Sequence, residues 1–321
     1  MSHSSLTREF FNTLRKEKYQ IVGRHSAVKK CKWLHKSLTG GEPCYKSKFY
    51  GIKSWQCIQM TPTVANCTMR CLFCWRIQSG DLDLKLDEAY TLQDCDEPET
   101  IVEGCFEAQK RILSGYKANS NVNRKRYLEA LKPGHVAISL AGEPMLYQDL
   151  GDLVYAFKSK GLTTFIVTNG TLPEAIEQLT EEPSQLYVSV AAPDEETFRK
   201  VCRPQIDKAW EKLDKSLELI HSLSCPTAIR LTLVRDLNLK APEKYARLIN
   251  KANPTYVECK SYMFLGMSRL RLNFKNMPTH GEIRAFANTL SKLSGYKILD
   301  ESPQSRVVLL SRREKAIKLE K

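Results

Sequence analysis

From about Gln56 onward the chain alternates short apolar runs with longer helix-like segments, and this alternation restricts the fold more than any other feature. The runs are Cys57–Val64, His135–Leu140, Thr164–Thr168, Leu186–Val190, Ala228–Val234 and Thr255–Cys259, rich in β-branched residues. Between them lie Glu99–Ser114, Tyr147–Lys160, Pro173–Leu179, Asp207–Leu223 and Pro242–Lys251, which read as helices. Strands separated by helices pair in parallel through right-handed crossovers. Six such units predict an α/β fold, a partial (β/α)6 barrel open on one side, with its working groups at the C-terminal strand ends. A length of 321 residues, 42% of them hydrophobic, can fill one such core. Residues 1–56 read as an N-terminal extension, with a helix near Thr7–Lys18 and then a turn-rich stretch. The barrel is expected over 57–278. Residues 279–321 are expected to add a helix, Gly281–Leu293, and an edge hairpin of Tyr296–Leu299 and Arg306–Leu310.

Directly after the first predicted strand stands Asn66-Cys67-Thr68-Met69-Arg70-Cys71-Leu72-Phe73-Cys74-Trp75, a C-x3-C-x2-C run. Three thiolates so close can bind three irons of one [4Fe-4S] cubane and leave the fourth iron open to a substrate or cofactor. Two other readings are a zinc knot, which needs a fourth ligand, and a closed cluster completed by Cys57. The spacing, with an aromatic just before the last cysteine, is similar to that of the radical S-adenosylmethionine (SAM) superfamily, in which the open iron chelates SAM. That likeness makes the next strand ends candidate SAM contacts. Strand two ends in Gly142-Glu143-Pro144: glycine permits close backbone approach, and a carboxylate suits an ammonium. Strand three ends in Thr168-Asn169-Gly170, short polar groups suited to a ribose or carboxylate, or else a plain turn. Strand four offers Ser189, with packing as its alternative. Arg230 on strand five is placed to pair with a carboxylate of SAM or substrate, with a surface ion pair as its alternative. Glu258, Lys260 and Tyr262 on strand six receive no role.

A second cysteine set, Cys31, Cys44 and Cys57, has twelve residues between each pair. Such gaps make no short-range metal motif, and buried structural cysteines are the alternative. Beside the first triplet they suit a second [4Fe-4S] cluster with its own open iron. Lys46, two residues past Cys44, would sit beside that cluster. There it is expected to have a lowered pKa and to form a Schiff base with a keto acid. Cys95, Cys105, Cys202, Cys225 and Cys259 read as small apolar residues. Eleven cysteines in this pattern point to metal rather than disulfides, and so to a reducing cytoplasm. No secretory signal or membrane span is visible. The formal net charge of +13 favours a polyanionic partner, nucleic acid first.

With these pieces in place the chain resembles the 4-demethylwyosine synthase family, in its archaeal single-domain form, over nearly its whole length. The resemblance rests on the two cysteine sets, Cys57-Ile58-Gln59-Met60-Thr61-Pro62, Leu72-Phe73-Cys74-Trp75-Arg76, Ser139-Leu140-Ala141-Gly142-Glu143-Pro144 and Tyr262-Met263-Phe264-Leu265-Gly266-Met267-Ser268-Arg269. It implies that the substrate is N1-methylguanosine beside the anticodon of phenylalanine tRNA. A 5′-deoxyadenosyl radical would take hydrogen from the N1-methyl group, and the carbon radical would add to pyruvate, which loses its carboxyl carbon as the third ring closes. The auxiliary cluster would hold pyruvate through its carboxylate and keto oxygens. Lys46 matches the family lysine proposed to form the imine, with a second family lysine at Lys158 or Lys160. Electrons would come from an external donor protein, and a monomer is expected. The target base would leave its stack to reach the site. Two other readings are a radical SAM enzyme acting on a peptide or small molecule and a zinc-stabilised RNA-binding protein.

Overall fold

A computed structural model of the chain describes residues 8–64, 66–83, 92 and 94–319. Ten strands form one sheet: β1 (Tyr19–Val22), β2 (Ser26–Lys29), β3 (Cys57–Thr61), β4 (His135–Ile138), β5 (Thr163–Thr168), β6 (Gln185–Ser189), β7 (Thr227–Leu233), β8 (Tyr256–Ser261), β9 (Lys297–Ser302) and β10 (Val307–Ser311). Their spatial order is β1-β2-β3-β4-β5-β6-β7-β8-β10-β9. Strands β3 to β8 pair in parallel, in chain order. These are the six strands expected from the sequence. The sheet continues past them as an antiparallel hairpin at each edge, β1–β2 against β3 and β9–β10 against β8, and the barrel stays partial.

The helices are α1 (Arg8–Lys16), α2 (Lys32–Leu38), α3 (Tyr45–Tyr50), α4 (Pro98–Ser114), α5 (Arg124–Ala130), α6 (Leu150–Ser159), α7 (Pro173–Glu177), α8 (Glu195–Cys202), α9 (Ala209–Leu219), α10 (Pro242–Ala252) and α11 (His280–Ser294). The crossover α4 shows why they form. It opens on Pro98, whose missing N–H costs nothing in a first turn, and it buries Ile101, Val102, Cys105, Ala108 and Leu113 at helical spacing.

Strand periodicity of two then sorts the barrel into two faces. Ile58, Val136, Ile166, Val188, Ile229 and Val257 face outward into the main core, with Leu153, Phe157, Leu213 and Ile249 of the covering helices. The opposite parity, Phe165, Tyr187, Ala228 and Tyr256, faces inward and packs on Tyr45, Phe49 and Tyr50 of α3. The stretch expected to be turns is therefore the β1–β2 hairpin followed by two short helices, the second of which plugs the barrel. The helix expected over Thr7–Lys18 is α1, with Thr7 outside the described residues; α5 and α8 were not anticipated. No described helix is long and apolar enough to cross a membrane.

Candidate functional site

The loop after β3 carries Cys67, Cys71 and Cys74 to the C-terminal end of the sheet. All three thiols are free and partly exposed. Burial, followed by the charges of Glu143 and the two neighbouring thiols, pushes Cys67 well above the ordinary range. A hydrogen bond with Cys202, then burial, does the same for Cys71; burial, then Cys71, raises Cys74. Thiolates that repel one another here call for a cation, and iron would supply it. A structural zinc ion would require a fourth ligand beside the three sulfurs. A cubane takes its thiolates on separate irons, so the triplet suits a cluster better than a zinc ion. Cys202, read from sequence as a small apolar residue, belongs beside this loop.

Gly142, Glu143 and Pro144 form the next strand end and pack against the cysteine loop. Gly142 holds φ +74°, and a Cβ there would lie 2.0 Å from the Thr63 carbonyl oxygen and 2.5 Å from that of Asn66. Glu143 is buried and accepts from the Thr168 hydroxyl (2.6 Å), the Asn169 N–H (2.7 Å) and the Met145 N–H (3.1 Å). Burial lifts its carboxyl to about 7 against the pull of those bonds. The Asn169 amide donates to the Thr68 hydroxyl (2.8 Å) and reaches the Cys67 sulfur (3.7 Å), while its oxygen accepts from Thr171. Thr168 and Asn169, expected as ligand contacts, thus tie three loops together, and Gly142 provides the close backbone approach. Gly142→Ala is expected to lower SAM affinity at least tenfold, as equilibrium binding would show, because the added Cβ cannot coexist with the Thr63 and Asn66 carbonyls and must displace the strand end or the loop it packs on.

The second cysteine set comes together because two short helices fold the chain back twice. Cys31 caps α2, Cys44 caps α3 and Cys57 opens β3. Burial, then Cys31, raises Cys44 to about 11 and Cys57 to about 12, while Lys46 pulls both down. Lys46 enters the barrel from α3, its ammonium 4.0 Å above the Phe165 ring and 4.2 Å from that of Tyr187. Burial, then Arg230, lowers its pKa to about 8.

Arg230 makes a buried ion pair rather than a surface one. Its guanidinium donates to the fully buried Glu258 (3.0 Å) and to the Tyr45 hydroxyl (2.9 Å), over the Tyr187 ring. It belongs to the Lys46 pocket. Ser189, its cross-strand partner, also lies on the inner face. Glu258 further accepts from Tyr45 and Tyr50, each at 2.9 Å. Lys260, on the same strand face, stands over the Tyr45 ring at 4.7 Å, and burial, then Arg230, lowers it to about 8. Glu258 and Lys260 are the residues of this pocket left unassigned from sequence. Their inward parity, shared with Arg230, was the available signal. Lys158 and Lys160, by contrast, sit on and just after α6, on the outer face, with Lys158 paired to Glu181.

After β8, the segment around Gly266 folds back over the triplet loop. Arg271 donates to the carbonyl oxygens of Leu72 (3.3 Å) and Cys74 and pairs with the buried Asp81. The Met267 N–H donates to the Trp75 carbonyl (3.0 Å), and Gly266, at φ +54°, lies too close to that oxygen to carry a Cβ.

Residues 61–249 match the radical SAM superfamily, and residues 251–312 match a family described as wyosine base formation. The S-adenosyl-L-methionine-dependent tRNA 4-demethylwyosine synthase of Pyrococcus abyssi (strain GE5 / Orsay) is 52% identical over 97% of this chain and 91% of its own. The enzyme of that name from Methanocaldococcus jannaschii is 40% identical over 97% and 98%. A solved structure of TYW1 with a lysine-pyruvate adduct bound superposes with a TM-score of 0.87 at 39% identity, covering 98% of this chain and all of the other.

Proposed function

The chain belongs to the tRNA 4-demethylwyosine synthase family of radical SAM enzymes, and on that footing we propose that it condenses N1-methylguanosine in phenylalanine tRNA with pyruvate to form 4-demethylwyosine. Its cofactors are SAM and iron–sulfur, and we assign two [4Fe-4S] clusters. When bound, one on Cys67, Cys71 and Cys74 would supply the electron that cleaves SAM, and one on Cys31, Cys44 and Cys57 an open iron for pyruvate. The observation that carries this reading is α3, which places Cys44 and the Lys46 amine together inside a barrel whose mouth holds the first triplet.

The neutral Lys46 amine attacks the keto carbon of pyruvate; a C–N bond forms, water leaves, and the imine ties the keto acid to α3. Arg230 and Glu258 stand near Lys46, and Lys260 lies over Tyr45 of the same helix, so the pocket carries more cations than the one carboxylate described there balances, which favours an anionic co-substrate. The relative with a lysine-pyruvate adduct supports this assignment. The Gly142–Glu143 backbone grips the SAM ammonium. The positive balance of the chain suits tRNA. Electrons come from a separate donor protein, and the enzyme works as a monomer.

Anaerobic reconstitution with iron and sulfide, followed by tRNA carrying N1-methylguanosine, SAM, dithionite and fully carbon-13-labelled pyruvate, tests the proposal. Nucleoside mass spectrometry is expected to show a tricyclic base with two labelled carbons. SAM cleavage without that nucleoside would leave a radical SAM enzyme with another substrate.

A further inference from the structure

Sequence singled out Trp75 and the stretch Tyr262–Arg269, and the reaction chemistry uses neither. In the fold they meet at the mouth of the barrel, beyond the C-terminal end of β8. Phe274 is 65% exposed, Leu270 59% and Trp75 39%, an unusual concentration of large apolar surface beside a substrate entrance. Phe274 meets Phe264 edge to face at 6.1 Å. Arg269 lies over Phe264 at 5.3 Å, and Arg269 and Lys275 are exposed. Neither makes an ion pair with a described carboxylate. Aromatic faces interleaved with cations bind single-stranded nucleic acid, the rings stacking on bases and the cations holding phosphates.

A second basic and aromatic surface, around α2 and α5, does not share this openness. There the chain's own cations cover the rings: Lys36 over Trp33 at 5.1 Å, Arg126 over Trp55 at 4.8 Å and Lys30 over Tyr116 at 5.5 Å.

We infer that Phe274, with Trp75 and Leu270, is a stacking platform for unpaired bases of the tRNA anticodon loop, and that Arg269 and Lys275 hold its phosphates. This rests on the tRNA reading above. The platform lies on the segment that Arg271 fastens to the triplet loop, so a loop seated on it lies at the mouth from which an extruded base enters.

Phe274 is the residue to test, because Trp75 adjoins a cluster ligand. In the reconstituted full-length protein, Phe274→Ala is expected to weaken binding of an unmodified tRNA transcript about tenfold to a hundredfold, the scale of one base–aromatic stack. The tRNA KM should rise with kcat nearly unchanged, and dithionite-driven SAM cleavage without tRNA should stay at the wild-type rate. Phe274→Trp should restore affinity and Phe274→Leu should not. Arg269→Gln and Lys275→Gln should each flatten the salt dependence by roughly one phosphate contact. Equal affinity of the wild type and Phe274→Ala for tRNA overturns the platform. So does a Phe274→Ala protein that binds tRNA normally but is reduced more slowly by a protein donor, which would make this the donor's docking face. A wild type that binds no tRNA would instead remove the underlying function.

Discussion

Changing Cys67, Cys71 and Cys74 together to alanine is expected to remove about half of the bound iron and all SAM cleavage, since one of two three-cysteine clusters is lost. Iron and labile-sulfide analysis of the anaerobically reconstituted protein, with quantification of 5′-deoxyadenosine, measures both. The partner variant, with Cys31, Cys44 and Cys57 changed, should lose the other half of the iron. It should keep SAM cleavage, because those residues lie just before α2, just before α3 and at the start of β3 rather than on the loop at the mouth. Unchanged iron in the first variant would sink the assignment of that cluster. Total loss of iron in either would mean that the two sites do not load independently.

Lys46→Ala is expected to keep both clusters and SAM cleavage while product falls by roughly a thousandfold or more, the scale on which loss of a covalent catalyst acts. Borohydride should trap a pyruvate adduct on the wild type and none on the variant. The barrel walls give the reason: Phe165 and Tyr187 hold the ammonium, and Glu258, the carboxylate near it among the described residues, is taken by Arg230, Tyr45 and Tyr50. Normal product from Lys46→Ala would move the imine elsewhere. Lys260 would then be the first residue to examine, since it shares the inner face and Lys158 and Lys160 do not.

The six parallel strands were legible because each is a largely apolar run, buried on both faces, and most are followed by a helix long enough to show its period. The extension was not. Strands β1 and β2 are four residues each, and α2 and α3 are seven and six residues, too short for periodicity to emerge among so many lysines. The triplet was readable from spacing alone. The grouping of Cys31, Cys44 and Cys57 needed the context of the first cluster, because helices rather than a local loop bring those residues together. Arg230 was singled out on the correct strand, but the protein carboxylate it pairs with was not. Its carboxylate, Glu258, is its direct cross-strand neighbour on β8, a relation that exists only once the register is set. Asn169 and Thr168 were singled out from the sequence, but their bonds to Glu143, Thr68 and Thr171, which brace the loops, became visible only in the fold.

The helix that plugs the barrel also sets an order of assembly. Tyr45 is anchored by a residue 213 positions later in the chain. It leaves the ribosome long before Glu258 exists to receive it, and closing so long a loop is slow relative to building the local strand–helix units. The bond that anchors α3 inside the barrel therefore cannot form until β8 is in place. Maturation of the catalytic pocket is in this sense the last act of folding rather than one of its nuclei.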